Sequence, residues 1–163
     1  MKISVSFSKS SRVFLKTFVL VFGISFPATA SSFNPAPLFE EVNNYETTIT
    51  SNGDPADIYY PDTSTAENFP VALLLQGALV DKADYTNFAN TVASYGFVVV
   101  VPNHFQSFPE LGVEGLLAEV SQIDDVLAYV ETENSNSTSP VEGIIDTDNL
   151  ALLGHSQGAA VGL

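Results

Sequence analysis

Apolar positions along this chain fall into two kinds of run. Val71-Ala72-Leu73-Leu74-Leu75 and Phe97-Val98-Val99-Val100-Val101 are unbroken and end at Gly77 and Pro102, and Asn149 to Leu153 is a third run of the same kind. Strands that are apolar on both sides sit in the middle of a parallel sheet covered by helices. Between the first two runs, Tyr85, Phe88, Ala89, Val92 and Tyr95 recur at helical spacing, and Val113, Leu116, Leu117, Val120, Ile123, Leu127 and Val130 do so between Pro109 and Glu133. Each set predicts a helix, the second running through the whole of that stretch. Upstream, Tyr45 to Thr50 and Asp57 to Tyr60 flank the turn cluster Ser51-Asn52-Gly53-Asp54-Pro55 and predict a hairpin. Asn134 to Pro140 reads as a polar loop. The succession is βαβαβ, which predicts an α/β fold with right-handed crossovers, a mostly parallel sheet, and no internal repeat or second domain.

Residues 1–30 stand apart from that pattern. Lys2, Lys9, Arg12 and Lys16 form a basic leader, Thr17 to Phe26 an apolar core, and Ala28-Thr29-Ala30 a small-x-small cleavage site. The segment is expected to be a signal peptide lying outside the fold, with Ser31 as the mature amino terminus and a periplasmic or extracellular destination. Ten apolar residues fall short of the ~20 that span a bilayer, so no membrane anchor is expected in the mature chain. A serine in place of the first arginine of a twin-arginine signal favours the general secretory route. There is no cysteine, which rules out lipid attachment at a cysteine and any disulfide.

Charge narrows the partners. The whole chain carries a net charge of −14, and four of its five basic residues lie in the leader. Residues 31–163 therefore oppose one lysine, Lys82, to 19 carboxylates, a net of −18. Such a surface repels nucleic acid and anionic membranes. Asp54-Pro55-Ala56-Asp57 and Asp146-Thr147-Asp148 do not continue into a full loop of calcium ligands, so both read as turns and no metal or other cofactor is expected.

The chemistry-bearing motif is Gly154-His155-Ser156-Gln157-Gly158, set between the apolar run ending at Leu153 and the small-residue stretch Ala159-Ala160-Val161-Gly162-Leu163. A Gly-x-Ser-x-Gly turn between a strand and a helix is the context of a nucleophile elbow. The serine backbone is strained there and its neighbours pass close to other backbone, which is why glycines flank it.

In order, the hairpin, the first buried strand, the Gln76-Gly77-Ala78 loop, Ala93-Ser94-Tyr95-Gly96-Phe97 running into the second strand, a helix containing Asp124-Asp125-Val126-Leu127-Ala128-Tyr129-Val130, and the serine motif resemble the amino-terminal half of an α/β-hydrolase. The resemblance is strongest to the chlorophyllase-like, dienelactone-hydrolase and polyester-hydrolase (cutinase-like) group, with departures at Gln76 and Gln157. It implies acyl transfer to water from a small-molecule or polymeric ester. Ser156 would be the nucleophile, and the backbone amides of Ala78 and Gln157 would form the oxyanion hole. In that fold the acid and the histidine follow the serine in sequence. The resemblance therefore implies an incomplete domain with on the order of 100 residues still to come.

Other polar residues are expected to play supporting parts. His155 should point away from the serine hydroxyl. His104, after the second strand, falls on the rim as a pocket-lining or surface residue, and Tyr85 is core or acyl-pocket wall. Asp124 and Asp125 lie on a solvated helix face. A different reading remains open at this level: a non-catalytic acidic exported binding domain that keeps the elbow as a structural turn.

Overall fold

The computed structural model describes residues 6–9, 35–64 and 67–162. Its main element is a six-stranded sheet in the order β1-β8-β4-β5-β3-β2. The strands are β1 (Ser6–Lys9), β2 (Val42–Thr48), β3 (Pro55–Pro61), β4 (Phe69–Leu75), β5 (Val98–Pro102) and β8 (Ile145–Gly154). The three unbroken apolar runs are the parallel centre, with Leu73 beside Val100 on one side and Leu152 on the other. The predicted hairpin is β2–β3, paired antiparallel from Val42 opposite Pro61 to Thr48 opposite Pro55.

Alternation along each strand builds two cores. Val71, Leu73, Leu75, Val98, Val100 and Leu150 face helix α2 (Ser121–Asn134), which contributes Val126, Tyr129 and Val130. Ala72, Leu74, Val99, Val101, Ala151 and Leu153 face α1 (Thr86–Ala93) and the short 3-10 turn Lys82–Tyr85 before it. Alanines at 72, 89, 93 and 151 let α1 lie close to its face of the sheet.

Chain order explains where the functional end lies. From β4 the chain crosses to β5 through α1, then returns past β4 to β8 through α2, so right-handed crossovers put these helices on opposite faces. After β8, helix α3 (Gln157–Val161) returns on the α2 side, where Val161 packs. The chain leaving β4 and the chain leaving β8 thus turn to opposite faces of the sheet, a switch point at the carboxyl ends of adjacent strands, which is where such sheets usually bind ligands.

Three expectations need correction. The helix expected between Pro109 and Glu133 begins only at Ser121; Val113–Leu116 is instead β7, antiparallel to β6 (Phe105–Phe108) in a separate two-stranded hairpin. Gly112 and Gly115 inside the helical pattern take φ of 64° and 143°, and Leu79 donates its N–H to Leu116 O, so a tertiary pairing overrides the apolar period. Asp146 lies in β8 rather than in a turn, residues 147–149 making an irregularity in the β4–β8 ladder, whereas Asp57 lies in β3 as the hairpin reading has it. Ser6–Lys9, expected outside the fold, pairs antiparallel with Asn149–Leu152 on the outer edge of β8, whose free N–H and C=O groups accept any extended segment. The apolar leader core and the cleavage site lie outside the described residues.

Candidate functional site

Gly154 closes β8, and the next two residues make the sharp turn into α3. Ser156 sits at its tip, solvent-exposed, with φ 51° and ψ −113°, a conformation sparsely populated by non-glycine residues. The surroundings hold it there. His155 N–H donates to Leu75 O (3.2 Å), and Gly158 and Ala159 N–H close the turn onto His155 O (2.9 Å) and Ser156 O (3.1 Å). Both flanking glycines are needed for space. A Cβ on Gly154 would lie 2.5 Å from the Ala159 backbone, and one on Gly158 would lie 2.3 Å from Leu75 O.

The second wall is the Gln76-Gly77-Ala78 loop after β4. Gly77 lies so close to the elbow that a Cβ there would meet His155 Nδ1 at 2.7 Å. Its N–H donates to the Tyr85 hydroxyl (2.8 Å), and that hydroxyl also bonds His155 Nδ1 (2.9 Å). Burial raises the pKa of the Tyr85 hydroxyl and keeps it protonated. Ala78 is exposed, and neither its N–H nor that of Gln157 is bonded among the described residues. The serine hydroxyl and the two amides expected beside it therefore belong to loops in direct contact.

Two glutamines fix the rim. Gln76 is fully buried and bonds both backbone groups of His104, accepting from its N–H (3.1 Å) and donating to its C=O (2.9 Å). Gln157 treats Ala118 in the same way, accepting from N–H at 2.9 Å and donating to C=O at 2.7 Å. Leu117 N–H in turn reaches His104 O (3.0 Å). The elbow, the β5–β6 connection and the segment before α2 are thus laced together by uncharged bonds. Sequence reasoning named Gln157 for its amide and missed what its side chain does.

His104 is on the rim, as expected, but engaged elsewhere. Its Nδ1 lies 2.7 Å from Asp54 Oδ2, and its Nε2 faces Glu119 Oε1 at 3.7 Å. Both ring nitrogens therefore address carboxylates rather than Ser156. Burial raises the Asp54 carboxyl above the ordinary aspartate value, with the bond and charge of His104 pulling the other way. Asp124 is exposed as expected, whereas Asp125 accepts a bond from the Asn52 amide (2.9 Å) and ties α2 to the β2–β3 turn. Lys82 pairs with Asp57 and Glu46 on β3 and β2. Among the described residues no cluster of three His, Asp or Glu side chains could hold a metal ion, and no helix is long and apolar enough to cross a membrane.

A mixed sheet with helices on both faces, and a glycine-flanked serine where its central strand turns into a helix, defines the α/β-hydrolase class. The profile of the chlorophyllase family matches residues 29–163, and the chain belongs to that family. It is similar to chlorophyllase type 0 of Chenopodium album, 26% identical over 168 aligned positions that cover 88% of this chain and 47% of the relative. The chain thus spans about half the length of that curated relative.

Proposed function

We propose that this protein is an exported serine carboxylic-ester hydrolase. Ser156 attacks the ester carbonyl, and the Ala78 and Gln157 amides receive the negative charge that develops on its oxygen. The observation that carries the reading is the conformation of Ser156: a positive-φ serine is costly, yet two glycines and the β4 loop are shaped to hold it exposed. On this reading the histidine that takes the serine proton, and the acid that orients it, come from the remainder of a domain of the relative's length; the alcohol leaves with that proton, and water then releases the acid. The basic, apolar and small-x-small order of residues 1–30 supports export, and on this reading cleavage before Ser31 removes β1 and frees the outer edge of β8. The name of the Chenopodium relative makes chlorophyll one ester to assay beside short activated esters.

The test is a fluorophosphonate probe on the full-length gene product, since only an activated serine reacts. Covalent labelling at Ser156, lost together with ester turnover in Ser156→Ala, is the expected result. Unlabelled Ser156 in folded protein, or wild-type turnover by Ser156→Ala, would refute it.

A further inference from the structure

Tyr85 occupies a position that the proposed chemistry does not by itself require. It is 6% exposed, its ring packs edge-on to His155 at 5.8 Å, and its hydroxyl lies between an amide of the β4 loop and a ring nitrogen of the elbow. A phenol has one proton to give and lone pairs to receive. Gly77 N–H can only donate, so the hydroxyl oxygen is the acceptor there, leaving the phenolic proton for His155 Nδ1. The reverse arrangement, with Nδ1–H donating, would leave that proton without an acceptor among the described residues in a buried place. The bonds therefore run one way, from Gly77 N–H to Tyr85 O and from Tyr85 O–H to His155 Nδ1, which puts the imidazole proton on Nε2.

We propose, on the reading of Ser156 as nucleophile, that Tyr85 is a positioning residue that holds His155 in the Nε2–H tautomer and clamps the Gly77-Ala78 loop against the elbow. Each end of the clamp is one residue from a group that must be placed: Gly77 precedes Ala78, and His155 precedes Ser156. The absent side chain of Gly77 is part of the device, because a Cβ would displace the ring nitrogen that Tyr85 holds.

The test uses the full-length gene product and two substitutions, Tyr85→Phe and Tyr59→Phe. Tyr59 is 3% exposed in the same core, and its hydroxyl bonds Thr86 Oγ1 at 3.2 Å, so it loses a comparable bond that joins neither the β4 loop nor the elbow. On a short activated ester, Tyr85→Phe is expected to lower kcat by on the order of 10- to 100-fold, as for a donor displaced by up to an ångström, with KM within about twofold. Tyr59→Phe leaves kcat within about twofold at a similar loss of stability. Nitrogen-15 NMR of labelled histidine, assigned through His155→Gln, should show His155 as the Nε2–H tautomer in wild type and a mixture in Tyr85→Phe, with the Ala78 amide resonance displaced. Equal kinetic losses in the two tyrosine variants, or an Nδ1–H signal from wild-type His155, would overturn the proposal. If wild type turned over no ester, the reading of Ser156 would fall, and the tautomer and the Ala78 resonance would still decide the clamp.

Discussion

Gly158→Ala isolates the contact on which the elbow depends. The added Cβ would lie 2.3 Å from Leu75 O, 2.5 Å from Gln76 O and 2.6 Å from Leu75 C, where ordinary contact begins at 3.4 Å. All three atoms are backbone at the end of β4, so no rotamer change relieves the clash. Either α3 or the β4 end must retreat by about 1 Å to reach normal separation. Overpacking of this kind costs about 3 kcal/mol, the upper part of the usual range. With a urea dependence of about 2 kcal/mol per molar, that moves the unfolding midpoint down by roughly 1.5 M. The same retreat separates Ser156 from the Gly77-Ala78 loop, and an ångström of misplacement lowers turnover by about 100-fold. Gly162→Ala is the control. Its φ is −83° and its Cβ would meet the end of the Leu75 side chain at 3.3 Å, so a loss under about 1 kcal/mol is expected. Urea titrations and ester assays on full-length protein check both. A Gly158→Ala variant with the wild-type midpoint and turnover would show that the elbow does not pack on β4 as described.

Gln157→Met keeps the side-chain length but leaves the N–H and C=O of Ala118 unpaired, a loss of about 2 kcal/mol or more, with faster hydrogen exchange at the Ala118 amide; unchanged exchange there would refute the clamp. Asp54, whose carboxyl burial raises, binds its proton more tightly folded than unfolded, so its contribution to stability is greatest in acid and declines as pH rises from the ordinary aspartate value through the folded one. The stability of wild type minus that of Asp54→Asn, measured in urea from about pH 3.5 to 6, should therefore fall with rising pH; a difference that grew would reverse the assignment.

What the sequence made legible was what has a period or a local signature. β4, β5 and β8 are apolar on both faces and read as central strands, the Gly53 turn marks the hairpin, and the glycine spacing marks the elbow. The β6–β7 hairpin stayed hidden because Val113, Leu116 and Val120 also match a helical period. The signal that could have corrected it is Gly115 inside that pattern, a residue that costs helix and here admits Leu79. Tyr85 and Gln157 were visible as residues but not as hydrogen-bond partners, since His155 is 70 residues from Tyr85 and Ala118 is 39 from Gln157. His104 and Asp54 lie 50 residues apart and share no pattern at all. Pairings of that kind are set by how strands are ordered in the sheet, which no window along the chain contains.

The rim is held by a device that recurs elsewhere in the fold. Gln76 on His104 and Gln157 on Ala118 at the rim, and Asn134 on Ile145 at the opposite end of β8, each place a side-chain amide against the N–H and C=O of a single residue. A side-chain amide has the donor and acceptor of a backbone unit, so it continues hydrogen bonding where a strand has ended and the backbone can no longer pair. In a chain of net charge −14 the choice of an uncharged group matters. Carboxylates in these places would have no donor for the His104, Ala118 and Ile145 carbonyls and would add repulsion beside Glu119 and Asp54, whereas salt and pH leave amide bonds nearly untouched. The acidic surface and the rim around Ser156 are thereby decoupled: the surface can carry its excess of carboxylates while the glutamine bonds that tie the loops of the rim do not respond to it.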